Sequence, residues 1–286
     1  MFVVAGVTGH VGSVVARALL AQKQPVRVLV RSADKGKAWL SEGAEVAVAA
    51  LDDSAALGAA LRGARGFFTL LPPDFTASDL FAAQRKTADA IAAAVKASGV
   101  PHVVMLSSLG ADLAEGTGPI KGLHYLETVL RATGARLSAL RAGSFQENVG
   151  NSLAAARNAG IYPNFGLPHD YAMPYIATRD IGELAARCLV QPAAGSEVVD
   201  LIGPAYSLQQ IVEKLGAALG KKIAIVDVPP EARVDAMQKA GIPSAMARGL
   251  DEMYTAAGQG KLAPHGDRLE HGKREIDEVI RTLTAS

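Results

Sequence analysis

Short apolar runs alternate with amphipathic stretches along the first half of the chain. Met1–Ala5 contains no polar residue and reads as a buried strand, since a strand covered on both faces needs no polar alternation. His10–Ala21 follows, with Val11, Val14, Val15, Ala18 and Leu19 at helical spacing. The same rhythm predicts strands at Val26–Val30, Glu45–Ala49, Gly66–Leu71, Val103–Leu106 and Leu137–Arg141. Helical stretches are predicted at Asp34–Leu40, Ser54–Leu61, Ser78–Ser98 and Ile120–Ala132, with Ser54 as a candidate N-cap. Pro25, Pro72, Pro73, Gly99, Pro101 and Gly134 punctuate the boundaries.

Strands separated by helices imply a parallel sheet with helices on both faces and right-handed crossovers. After Asn148 the rhythm changes. Gly160–Pro174 reads as loop and short strand, and Asp180–Val190 and Leu208–Leu219 read as helices. Glu197–Leu201 and Ile223–Val228 read as strands, and the remainder as mostly helical. The expected class is α/β: a Rossmann-type doubly wound parallel sheet over residues 1–150, and a smaller C-terminal α/β substrate lobe over 151–286, partly interwoven with it.

Composition adds limits. Hydrophobic residues make up 49% of the chain and charged ones 20%, which supports a sizeable core. The 29 basic and 28 acidic residues nearly cancel, and no Lys/Arg run stands out, so nucleic acid is not an expected partner. Cys188 is the single cysteine and cannot form an internal disulfide; in its helical run it reads as a buried, inert thiol. The apolar start is shorter than a secretory signal, and no stretch approaches the roughly 20 apolar residues of a membrane span. A cytoplasmic protein with no membrane contact is expected. The histidines are scattered without metal-ligand spacing, so no metal is expected, and there is no G-x-S-x-G elbow.

The most informative segment is Val3-Val4-Ala5-Gly6-Val7-Thr8-Gly9-His10-Val11-Gly12. Strand, glycine turn and helix start follow in order. Gly6 allows the tight turn, Gly9 lets a pyrophosphate approach the backbone, and Gly12 lets helix and strand pack closely. Thr8, His10 and Val11 sit where the free N–H groups of a helix start meet an anion. The spacing is GxxGxxG, and it predicts a nicotinamide dinucleotide site. Roughly twenty residues on, where an NAD site commonly carries an acid, stands Arg31. It either pairs with a 2′-phosphate, helped by Ser32 and Lys35, or is a solvated strand-end arginine. On the first reading NADP(H) is favoured over NAD(H). Asp52 either meets the adenine amine or stands beside the cap of the next helix, which Asp53 or Ser54 supplies; the two readings are compatible. Leu70 and Leu71 form either a cofactor wall or plain core.

With Arg31 and the glycine loop, three later segments resemble the NmrA-like family of atypical short-chain dehydrogenases: Leu140–Asn148, Met173–Gly182, and Leu201-Ile202-Gly203-Pro204 followed by Ser207. The resemblance implies a Rossmann domain with a small lobe and a small-molecule acceptor in the cleft between them. It implies either an NAD(P)H-dependent reductase of quinone-like or azo acceptors, or a redox sensor that binds dinucleotide and acts through a protein partner. A homodimer is a further expectation left open.

Related dehydrogenases use Tyr-x-x-x-Lys for proton transfer. Here Tyr125 is followed at that spacing by Val129, so the pair is absent. Lys121, offset from the relatives' lysine, is a weak candidate for holding the nicotinamide ribose, and Tyr125 for acid catalysis; His124 reads as a surface histidine. Ser107, with Ser108, ends the fifth strand and either touches ribose or substrate or closes a turn. Gly143, Ser144 and Phe145 are expected on the nicotinamide side, and Asn148 either orients the amide or fixes the loop. Phe145, Tyr162, Phe165 and Tyr175 are candidate aromatic walls.

Overall fold

The computed structural model describes residues 1–285. Its first half runs β1 (Phe2–Val4), α1 (His10–Ala21), β2 (Val26–Val30), α2 (Lys37–Ser41), β3 (Glu45–Val48), α3 (Ser54–Leu61), β4 (Gly66–Thr69), α4 (Leu80–Ser98), β5 (His102–Ser108), α5 (Ile120–Arg131) and β6 (Arg136–Ala142). β1 and β4 are buried at every position, Thr69 included, whereas β3 at the sheet edge is nowhere fully buried. Burying Phe67, Phe68 and Met105, each at 0% exposure, contributes about 1.5–3 kcal/mol per side chain.

Helix starts follow carboxylates. Of the two cap candidates, Asp53 caps α3, because its Oδ1 accepts from Ala55 N and Ala56 N, and Ser54 is the first helical residue. Asp79 does the same for α4, accepting from Ala82 N, so that helix begins after Ser78. The stretch expected at Asp34–Leu40 divides into a 3-10 turn, Ala33–Gly36, and the short α2.

The second half runs β7 (Ser144–Phe145), α6 (Leu153–Ala159), β8 (Ile161–Asn164), β9 (Met173–Ile176), α7 (Thr178–Val190), β10 (Glu197–Ile202), β11 (Ala205–Tyr206), α8 (Leu208–Leu219), β12 (Ala224–Asp227), α9 (Arg233–Lys239), α10 (Ser244–Gly258), β13 (Arg268–His271) and α11 (Ile276–Thr284). β10 and β13 return to the main sheet, whose order is β13-β10-β6-β5-β4-β1-β2-β3, with every pairing parallel. The helical reading of the chain's end misses β13. Arg-Leu-Glu-His carries no apolar run, and the strand exists because β10 offers it an edge.

One apolar cluster lies between the sheet and α1 and α7; the other joins the opposite face to α3, α4 and α5. α7 packs against α1 closely because residue 182 is glycine: a Cβ there would lie 2.6 Å from Val14 Cβ. A third cluster gathers Tyr175, Tyr206, α8 and α11.

Candidate functional site

From β1 the chain steps outward to β2 and β3, then returns to place β4 on the other side of β1. The carboxyl ends of β1 and β4 therefore diverge into a crevice, the usual ligand position in an open parallel sheet. A cavity of about 470 Å³ opens there. Its wall takes Gly6, Gly9, His10, Val11 and Gly12 from the glycine loop, and Leu70, Leu71 and Pro73 from beyond β4. β5 contributes Leu106, Ser107 and Ser108, and α5 contributes Leu123. Ala142, Phe145, Glu147, Asn148, Asn151 and Thr178 complete it. A larger cavity of about 610 Å³, lined by charged groups such as Asp180, Glu183, Arg187 and Arg274, lies beside α7 and β13 away from the glycine loop. Size alone does not mark the site.

Each loop glycine has a separate reason. Gly6 has φ +68°, and a Cβ on it would lie 2.5 Å from Leu70 Cδ2. A Cβ on Gly12 would lie 2.4 Å from the backbone oxygen of Ala5, so helix and strand touch through this position. Gly9 caps α1, and its Cβ would meet only Gly6 O, at 3.5 Å. No side chain caps α1 and no acid occupies its first turn, so its early N–H groups and partial positive charge are left to a ligand. A pyrophosphate fits this open cradle, which a Cβ at Gly9 would enter.

Arg31 stands just past β2, whose register with β1 pairs Val28 with Val4, so it shares the loop's end of the sheet. Its neighbours in sequence are engaged: Arg17 pairs with Glu42, Arg27 with Glu45 and Lys37 with Asp34. Arg31 is exposed, and among the described residues no carboxylate pairs with it. Lys35 is also exposed, on the following 3-10 turn. Asp52 lies 3.6 Å from Lys86 Nζ. Thr8, Arg31, Lys35, Asp52 and Gly143 lie outside the cavity wall itself; Gly143 N donates to Leu201 O at 2.9 Å.

The ends of β5 and β6 hold a buried polar network. Ser107 Oγ donates to Glu127 Oε1 at 2.6 Å. Arg141 grips the same carboxylate through Nε and Nη2, at 3.0 and 2.8 Å. Burial alone would lower the Arg141 pKa, but the hydrogen bonds and charge of Glu127, with Asp112 and Asp200, raise it. Sequence reasoning missed Glu127. Its one signal is a charged residue on the helix face otherwise formed by Ile120, Leu126 and Leu130.

The two other proton-transfer candidates point elsewhere. The Tyr125 hydroxyl donates to Asp89 Oδ1 at 2.7 Å, and its ring meets Phe81 edge-on, so it faces α4. Lys121 Nζ lies 4.3 Å from the Phe81 ring centroid. Neither lines the cavity. His124 Nδ1 is 2.9 Å from Ala111 O, tying down the loop before α5. Of the aromatic candidates, Phe145 lines the cavity, whereas Phe165 stacks on Tyr254 with centroids 5.4 Å apart. Burial pushes the Tyr162 hydroxyl up to about 12 and that of Tyr175 higher still, as expected of neutral phenols packed in the third apolar cluster.

Glu147 and Thr178 were also missed as site residues. The register of β7 on β9 sets Phe145 beside Ile176, which brings the two sequence segments together. Glu147 then accepts from Thr178 N and Thr178 Oγ1 at the start of α7.

Residues 1–282 match the NmrA-like family. The chain belongs to that family. It is 29% identical to an NAD(P)H azoreductase of Xenophilus azovorans, over 92% of this chain and 89% of the relative. A Streptomyces griseus (4-alkanoyl-5-oxo-2,5-dihydrofuran-3-yl)methyl phosphate reductase is also 29% identical, over 81% and 78%. The fold is that of an Escherichia coli NADPH-dependent quinone oxidoreductase complexed with NADPH, with a TM-score of 0.81, 24% identity and 99% of both chains covered. A Citrobacter sp. triphenylmethane reductase aligns with a TM-score of 0.82 at 20% identity, over 100% of this chain and 99% of the other.

Proposed function

We propose that this NmrA-like protein is a reductase that uses NADPH in preference to NADH and passes hydride to a quinone-like or azo acceptor. The observation that carries the reading is the uncapped start of α1, open to a cavity at the sheet's switch point, with an unpaired arginine at the end of the neighbouring strand. Gly9, His10, Val11 and Gly12 would hold the pyrophosphate, and Arg31 with Lys35 the 2′-phosphate. Leu70, Leu71, Ser107 and Phe145 would flank the nicotinamide half. The cofactor supplies the hydride; the protein's part is to hold donor and acceptor face to face and exclude water. The azoreductase and quinone oxidoreductase names among its relatives support the reductase reading over a sensor.

The test is NADPH oxidation, followed by absorbance, with a panel of quinones and azo dyes. Turnover with NADPH above that with NADH is expected. A protein that binds NADPH yet reduces no member of the panel would overturn the reading.

A further inference from the structure

The cavity wall carries a negative charge that no cation of the chain balances. Glu147 and Thr178 both line the cavity, and the Glu147 carboxylate joins them: it accepts from Thr178 N at 3.0 Å and from Thr178 Oγ1 at 2.5 Å. Among the described residues no lysine, arginine or histidine pairs with it. The charges beside it on α7 are committed elsewhere, Arg179 to Glu183 at 3.2 Å and Asp180 to Arg274. The start of α7 offsets about half of one unit charge. The rest of the wall holds no lysine or arginine. Arg141, behind Ser107, is held on two atoms by the Glu127 carboxylate. His10 stands on the first turn of α1, at the pyrophosphate end. Asn148 and Asn151 offer hydrogen-bond donors and acceptors but no charge.

We infer that this cavity selects its acceptor by charge: Glu147 admits neutral and cationic aromatic acceptors and turns away those that carry a sulfonate or carboxylate. This rests on the reductase reading. A bound reduced dinucleotide has a neutral nicotinamide ring and adds the negative pyrophosphate at the glycine loop. An anionic acceptor then meets Glu147 on one side and the pyrophosphate on another. It gives up part of its hydration and finds no cation in exchange. A neutral acceptor needs only the amide donors of Asn148 and Asn151 and the apolar surface of Leu70, Leu71 and Phe145. A cationic acceptor gains attraction as well. At roughly 7 Å and an effective dielectric of about 20, one unit charge changes an equilibrium constant by about fiftyfold. The start of α7 and mobile ions reduce that to about tenfold. Glu147 was missed in the sequence because an acid after β7 carries no sign of what it will face; the pairing of β7 with β9 places it at the wall.

The test uses one azobenzene in three forms, with a hydroxymethyl, a sulfonatomethyl or a trimethylammoniomethyl group on one ring, so that the methylene insulates the azo bond from the charge. Turnover with NADPH is measured for each with wild type and Glu147→Gln, and the sulfonate-to-neutral ratio of kcat/KM is taken within each protein. In wild type at low salt the sulfonate should fall about tenfold below the neutral dye, chiefly through KM, and the ammonium dye should match or exceed it. Glu147→Gln should bring the sulfonate to within about threefold of the neutral dye, and about 0.5 M salt should narrow the wild-type gap in the same direction. A merely structural role for Glu147, as the cap of α7, would lower all three dyes alike and leave the ratio where it was. A sulfonate within threefold of the neutral dye in wild type, or an unchanged ratio in Glu147→Gln, would overturn the inference and leave the reductase reading intact. Should Glu147→Gln fail to fold, the salt dependence of the wild-type ratio decides: a gap that salt does not narrow is not electrostatic and refutes the charge selection. Reduction of none of the three would count against the reductase reading instead. Equilibrium dialysis of the same dyes against protein saturated with the tetrahydro analogue of NADPH, whose neutral ring gives no hydride, then reads the order without turnover. Weaker retention of the sulfonate than of the neutral dye, relieved in Glu147→Gln, supports the charge selection, and equal retention overturns it.

Discussion

Replacing Gly12 with alanine separates packing from ligand binding. The new Cβ would sit 2.4 Å from Ala5 O and 2.5 Å from Gly6 C and O, all backbone atoms that have no rotamer to retreat into. Carbon–oxygen contacts settle near about 3.3 Å, so the start of α1 must withdraw from β1 by about 1 Å. Overpacking of this kind costs about 1–3 kcal/mol, offset in part by up to about 1 kcal/mol of helix propensity. A net loss of about 1–2 kcal/mol lowers Tm by roughly 2–8 °C in a chain of this size. The same withdrawal carries the first-turn N–H groups out of hydrogen-bond range of a pyrophosphate, so NADPH affinity falls as well. Gly9→Ala is the matched control. Its Cβ meets only Gly6 O, at an ordinary 3.5 Å, and its φ of −107° suits any residue. Stability should then change by less than about 1 kcal/mol, the scale of an N-cap change, while the methyl group obstructs the phosphate cradle. Thermal melts and NADPH calorimetry on both variants read the split. Gly12→Ala with wild-type Tm and affinity would show that the close helix–strand contact does not shape the site.

Other outcomes follow from single contacts. Arg31→Ala should weaken NADPH about tenfold, the lower end for a charge-assisted bond at an exposed site, and leave NADH unchanged; equal effects on both would remove the 2′-phosphate role. Tyr125→Phe should leave kcat/KM unaltered and cost less than about 1 kcal/mol of stability, because its hydroxyl bonds only the exposed Asp89; a large loss of activity would return Tyr125 to the catalytic machinery. His102, at 2% exposure, has its pKa lowered to about 4 by burial first and the Arg136 charge second. The folded state therefore holds it neutral while the unfolded chain protonates it near about 6.5. Its contribution is present above that value and lost as pH falls from about 6.5 toward 4, up to about 3 kcal/mol. Denaturation of wild type and His102→Gln across that window checks this, and parallel stability curves would contradict it.

Gly6, Gly9 and Gly12 were legible in the sequence because their roles are local. A tight turn, a bare helix start and one close contact are all specified within a few residues. Arg31 was legible for a related reason: two parallel strands of known length put it at the loop's end of the sheet. The alternation of apolar runs likewise determined the parallel sheet and its helical layers, since burial on both faces leaves no other pattern. What the tertiary structure decided is which distant groups meet. Tyr125 and Lys121 lie on the expected helix, but its rotation turns them to Phe81 and Asp89 and turns Glu127 to Ser107 and Arg141. Periodicity shows that a helix has an inner face; it does not show that a carboxylate on that face will find an arginine from β6. In the same way β13 exists only because β10 presents an open edge, and Glu147 reaches Thr178 only because β7 pairs with β9. The hydrogen-bonded pairs at the cavity wall arise from those long-range pairings, which the linear order of residues does not encode one position at a time.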